Sequence, residues 1–170
     1  LFYVDGVDTV VEGADVGVDT VESSASHTLA ANVENLTLVS WAANGTGNGL
    51  DNVINGSDNS NNLNGATGDD TINGGIGNDT IDGSTGIDRM AGGFEDDTYT
   101  VDDAGDLVIE GASQGTDTVR TDLAYILVAN LENLVLTGAA AVNCTGNTLH
   151  NVLTGNGAAN LLNGSAGADS

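Results

Sequence analysis

A glycine returns at every ninth residue across the middle of the chain, at Gly47, Gly56, Gly65, Gly74, Gly83 and Gly92. In the eighth column of each nonad stands Ile54, Leu63, Ile72, Ile81, Met90 or Tyr99. In the sixth stands Asn52, Asn61, Asp70, Asp79, Asp88 or Asp97. Nine residues are too few for a domain and carry one large apolar side chain. Such a unit buries that side chain only by stacking on copies of itself, so the period dictates a solenoid. The pattern restarts at Gly146, Gly155 and Gly164, with Asn151, Asn160 and Asp169 in the sixth column.

Within a nonad the glycines and Asn/Asp suit a tight turn, because they tolerate positive φ. The three residues that follow, such as Thr71-Ile72-Asn73, read as a short strand with the middle side chain inward. Two nonads then make one coil. Ile54, Ile72 and Met90 are expected to stack in one sheet, facing Leu63, Ile81 and Tyr99 in another. The expected fold is all-β: a right-handed parallel β-roll or β-solenoid with almost no helix.

Such a core is thin. An aliphatic side chain contributes about 1.5–3 kcal/mol on burial, while ordering each residue costs about 1–2 kcal/mol of backbone entropy. Aromatic residues make up only 4% of the chain, so no bulky core makes up the difference. The chain also has 25 acidic and two basic residues, for a formal charge of -23. Residues 18 apart lie one coil apart on the same edge, about 4.8 Å from each other. This pairs Asp70 with Asp88 and Asp79 with Asp97. Two carboxylates at that distance repel by about 3.5 kcal/mol at an effective dielectric of 20. A divalent cation between them reverses the sign. Calcium suits best, since it accepts six to eight oxygens in irregular arrangements, backbone carbonyls included. No imidazole or thiolate group converges to favour a transition metal.

The best copy, Gly74-Gly75-Ile76-Gly77-Asn78-Asp79-Thr80-Ile81-Asp82, resembles the nonapeptide of RTX (hemolysin-type) calcium-binding proteins. The resemblance is close over 65–100, weaker over 47–64 and resumes at Gly146. It implies calcium ions bridging Asp70 with Asp88 and Asp79 with Asp97, with backbone carbonyls of Gly65, Gly74, Gly83 and Gly92 completing the shell. Asn52 and Asn61 depart from the motif; an amide oxygen carries no charge, so sites built on them are expected to be weak or empty. The pair Asn151 and Asp169 falls in the same weak class. The resemblance further implies a bacterial chain exported by type I secretion to the cell surface or medium.

A longer period contains the nonads. Gly17-Val18-Asp19-Thr20-Val21 matches Gly115-Thr116-Asp117-Thr118-Val119, and Asn32-Val33-Glu34-Asn35-Leu36-Thr37-Leu38 matches Asn130-Leu131-Glu132-Asn133-Leu134-Val135-Leu136, both 98 residues on. The chain divides into a spacer (1–46), a nonad array (47–100), a second spacer (101–145) and a second array from 146. The spacers should continue the solenoid as wider, less regular coils, with Val21, Leu36, Leu38, Val119, Leu134 and Leu136 inward. Because the first residues read as mid-motif, the chain reads as a piece of a longer protein.

No catalytic constellation emerges. His27 stands where the second copy has Tyr125 and reads as a strand residue. His150 falls in a turn without a partner, Trp41 reads as a lone edge aromatic, and Cys144 occupies the turn position of Gly45. Asp51, Asp69 and Asp96, in the fifth column, read as solvated turn residues. Such an acidic chain repels nucleic acid and anionic membranes and attracts cations. The expectation is therefore a non-enzymatic, calcium-dependent structural or adhesive module, its partners calcium ions and further copies of itself in a fibre or surface layer. The alternative is an accessory segment of a secreted enzyme or toxin whose active domain lies elsewhere.

Overall fold

The computed structural model describes residues 1–14 and 17–170. Among the described residues there are 18 short strands and no helix, and every strand pairing is parallel. Together they build a β-solenoid of about nine turns. One sheet has seven strands, from Phe2–Val4 through Val53–Asn55, Thr71–Ile76 and Arg89–Phe94 to Leu107–Val108. A second has eight, from His27–Thr28 through Asn62–Asn64, Thr80–Asp82 and Thr98–Val101 to Val152–Thr154. A third joins Tyr125–Ile126, Cys144–Thr145 and Leu162–Asn163.

The two-nonad coil is visible in the register. Ile54 pairs with Ile72 and Ile72 with Met90 in the first sheet, while Leu63 pairs with Ile81 and Ile81 with Tyr99 in the second. All six side chains are fully buried. Period-two alternation places one residue inward per three-residue strand, and the turns return the chain before a second is needed. Two strands reach twice the expected three residues. Thr71–Ile76 and Arg89–Phe94 run six each, because Gly75 and Gly93 also pair, at φ +114° and +108°. That left-handed conformation suits glycine, which has no Cβ to clash.

The spacers continue the roll, and Val21, Leu36, Leu38, Val119, Leu134 and Leu136 all face inward, none more than 3% exposed. Their coils are not simply wider, as the sequence led us to expect. Tyr99 pairs with Val119, a longer step than the double nonad, but Val119 pairs with Leu134 and Val21 with Leu36, a shorter one. The short coils turn at Asn32 and Asn130, both at positive φ (64° and 66°), a tight corner that Asn tolerates better than other side chains. Each Asn side chain also ties the corner to the coil before it: Asn32 donates to the Glu12 carbonyl (3.2 Å) and Asn130 to the Glu110 carbonyl (2.9 Å). Gly45 and Cys144 are inward-facing strand residues rather than turn residues. A side chain at Gly45 would press on Leu36, Leu38 and Leu63.

From Thr20–Ser23 onward successive strands alternate between sheets as the chain winds, and 11 strand-to-strand steps separate Val21 from its copy Val119. Because that number is odd, Val21 and Leu36 lie in the seven-stranded sheet but Val119 and Leu134 in the eight-stranded one. Equivalent positions of successive long repeats therefore occupy opposite faces of the solenoid.

Candidate metal centre

The sixth column forms two edges of the roll. Each residue in it ends a turn one position before a strand, so strand register places its side chain against its counterpart one coil away. Asp70, Asp79, Asp88 and Asp97 are each only 1% exposed. One oxygen of each is held by a backbone donor. Asp70 Oδ1 accepts the N–H of Asn52 (2.7 Å) and Asp88 Oδ1 that of Asp70 (2.8 Å). On the other edge Asp79 Oδ1 accepts the N–H of Asn61 (2.7 Å) and Asp97 Oδ1 that of Asp79 (2.7 Å). The other oxygen, Oδ2, has no hydrogen-bond partner in any of the four, although each is buried. A buried carboxylate oxygen without a donor is costly, and four in one repeated position call for a common ligand.

The surroundings of these oxygens fit a cation. A methyl group built on Gly65 would collide with both Asp70 Oδ2 and the carbonyl oxygen of Gly83. One on Gly74 would collide with Asp79 Oδ2 and the Gly92 carbonyl. Of the four carbonyls named from the sequence, those of Gly83 and Gly92 lie beside carboxylates one coil earlier. The carbonyls of Gly65 and Gly74 lie instead against the Asn52 and Asn61 side chains. Hard oxygen donors of this kind, and no nitrogen or sulfur, are what calcium takes.

The Asn positions are chemically different. Asn52 Oδ1 accepts the N–H of Asn48 (2.8 Å), and its amide nitrogen donates to the Val33 and Glu34 carbonyls. Asn61 likewise accepts from Ser57 and donates to the Ala42 and Ala43 carbonyls. Asn151 accepts from Asn147 and donates to the Leu131 and Glu132 carbonyls. Each amide supplies its own donor to the carbonyls of the preceding coil. Unlike the aspartates, these side chains leave no buried oxygen without a partner. Asp169, at the far end, is exposed, with Oδ1 accepting the N–H of Asn151 (3.0 Å).

Burial governs the electrostatics. It raises the carboxyls of Asp70 and Asp97 to about 7 and those of Asp79 and Asp88 to about 6, against the lowering effect of the N–H bonds. Asp88 adds to the rise at Asp70, and Asp79 to that at Asp97, as stacked like charges should. The fifth-column residues Asp51, Asp69 and Asp96 are exposed and build an outer ladder, accepting the N–H groups of Asp69, Ile87 and Thr116.

Four further acidic residues went unassigned by the nonad columns. Asp106, 18 residues after Asp88, accepts the Asp88 N–H on Oδ1 (3.0 Å), and its Oδ2 accepts those of Asp102 and Asp103, which closes that edge. The other edge continues through Asp117, which accepts the Asp97 N–H (2.8 Å), to Glu132, which accepts that of Asp117 (2.9 Å), and Glu110 lies beside it. The spacing of one double nonad points to Asp106; the others follow offsets that only the coil path reveals.

The glycine cradle is open to test. Gly74→Ala should destabilise the protein by about 1–3 kcal/mol, as overpacking does. Gly49→Ala, whose methyl would meet only Thr67 Oγ1 at 3.6 Å, should change little. Thermal melts of the two variants read the difference, and equal melting temperatures would refute the cradle.

Residues 46–81, 74–108 and 145–170 match the family described as RTX calcium-binding nonapeptide repeat (4 copies). Over 66 residues the chain is also 38% identical to the endo-1,3-1,4-beta-glycanase ExsH of Rhizobium meliloti (strain 1021), a match covering 39% of this chain and 14% of the glycanase. No solved structure matches.

Proposed function

The chain belongs to the RTX calcium-binding nonapeptide repeat family, and from that premise we propose that it is a calcium-folded structural or adhesive module of a secreted or cell-surface protein, without catalysis of its own. The observation that carries this reading is the set of four buried aspartates, each with one unpartnered oxygen in a glycine-lined cradle. In it, Asp70 with Asp88 and Asp79 with Asp97 hold the ions, aided by the carbonyls of Gly83 and Gly92, while Asn52, Asn61 and Asn151 hold none. Calcium supplies the positive charge that the stacked carboxylates lack. The array at 47–100 bears these ions, and the spacers at 1–46 and 101–145 separate it from its neighbours, such as the one that begins at 146.

An eight-stranded sheet that runs from the first spacer through the array and beyond the second spacer supports a stiff, extended part, and the long repeat supports further copies along a fibre or surface layer. RTX repeats are typical of secreted bacterial proteins, which supports export to the cell exterior by a type I route. No described helix is long and apolar enough to cross a membrane.

Asp79→Ala is expected to abolish binding at the pair it forms with Asp97 and leave the Asp70–Asp88 edge filled. Titration calorimetry with calcium counts the loss, and an unchanged stoichiometry would show that the pairing is wrong.

A second reading has one observation behind it. The similar segment is a small part of a protein named as a glycanase, so this chain would be an accessory repeat segment of a larger secreted enzyme. Flanking sequence separates the two: more of the long repeat supports the first, a hydrolase domain the second.

A further inference from the structure

We propose that Asp97, Glu110 and Asp117 form a further calcium site, at the junction of array and spacer. The three carboxylates each bring an oxygen to within 4.8 Å of the others. Glu110 and Asp117 belong to the spacer, outside the nonads. Asp97 and Asp117 are each 1% exposed and Glu110 9%. Two of the oxygens are orphans: Asp97 Oδ2 and Glu110 Oε2 are buried without a hydrogen-bond partner. Their neighbours are held in place. Asp117 Oδ1 accepts the Asp97 N–H, and Glu110 Oε1 accepts the Tyr99 hydroxyl, which in turn accepts the Gly92 N–H (2.5 Å).

The position explains the composition. One coil earlier on the same edge, the Gly92 carbonyl faces Asp79 Oδ2. At Asp97 the nonads stop, and a methyl on Gly92 would meet Asp97 Oδ2 and the Tyr99 hydroxyl instead. Glu110, oriented by Tyr99, brings a charged oxygen to the place where a turn carbonyl is missing. The opposite edge ends differently, because both oxygens of Asp106 are already bonded to N–H groups. Among the described residues, Glu110 is the acid beyond the nonads whose oxygen is buried without a partner.

No basic side chain balances this cluster. Arg89 and Arg120 are exposed on outward strand positions, and neither forms an ion pair among the described residues. A set of carboxylate oxygens with no nitrogen or sulfur donor among them suits calcium, which takes hard oxygen ligands in irregular arrangements. Burial raises Glu110 to about 7, with the Asp117 and Glu132 charges adding to it, so a shared proton is the competitor for the site. The scaffold also recurs: Glu12, Asp19, Asn32 and Glu34 stand one long repeat before Glu110, Asp117, Asn130 and Glu132, and the Asp19 N–H donates to Glu34 Oε2 as that of Asp117 does to Glu132 Oε2.

The site rests on the calcium reading of the array, and calorimetric calcium titration of the whole chain at about pH 7.5, above the raised carboxyl values, separates the two. Wild type should bind one more ion than Glu110→Gln. Asp117→Asn, whose amide oxygen still accepts the Asp97 N–H, should show the same loss. Asp70→Asn should lose an ion from the opposite edge and keep this one. If wild type binds calcium but both spacer variants bind as many ions, the cluster holds a proton and this inference is overturned. If wild type binds none, the reading of the array falls with it.

Discussion

In calcium-free buffer the nonad array should lose most of its β-signal in circular dichroism, and millimolar calcium should restore it. The expectation follows from the contents of the core. Each coil of the array buries two large apolar side chains, such as Ile72 and Ile81, at the cost of ordering two whole nonads. Beside them lie four acids whose second oxygens have no partner. Without a cation these are desolvated at a net loss. Extracellular calcium modules bind with dissociation constants of about 0.1–1 mM. At tenfold excess each site stabilises the fold by about 1.4 kcal/mol, so two contribute roughly 3 kcal/mol. For a chain of this size that is a rise in melting temperature of roughly 6–12 °C. Such a chain would stay unfolded where calcium is scarce and fold where it is plentiful. A complete β-signal in calcium-free buffer, with no gain in melting temperature on adding calcium, would leave the ions without a role in folding.

The second large effect is an inversion of pH dependence by calcium. Asp70, Asp97 and Glu110 are raised to about 7, and Asp79, Asp88 and Asp117 to about 6, from unfolded values near 4, in every case chiefly by burial. A folded state with raised carboxyl pKa values binds protons more tightly than the unfolded chain. Without calcium its stability is therefore greatest below about pH 4 and declines as the pH climbs through about 6 and 7. With calcium the order reverses, because the ion needs the deprotonated ligands and binding displaces protons. Melting temperature measured from about pH 4 to 7.5 should fall in calcium-free buffer and rise in about 10 mM calcium. Parallel slopes in the two buffers would show that ion and proton do not compete for these carboxylates.

Much of the array was legible because its geometry is carried by a constant count. A nine-residue step fixes which strand faces which, so Ile54, Ile72 and Met90 could be assigned to one sheet and Asp70 and Asp88 to one edge. Asp106 obeys the same count. Glu110, Asp117 and Glu132 do not, since the coil lengthens between Tyr99 and Val119 and then shortens between Val119 and Leu134, where the chain turns at Asn130. The Asn column was readable as different but not as self-satisfied. Whether an amide faces an ion or its own turn depends on the carbonyls of the coil before it, such as those of Val33 and Glu34 for Asn52.

The sequence by itself determined a stacked all-β roll, its inward side chains and two columns of acids, because a short repeat leaves each unit no neighbour but its own copies. Only the tertiary structure decided that one edge closes on Asp106 while the other runs on through the Asp97, Glu110 and Asp117 cluster, and that equivalent strands of the two spacers lie in opposite sheets. Those outcomes depend on how far the chain travels in each irregular coil and on the odd number of strands in a long repeat, and neither is carried by any local run of residues.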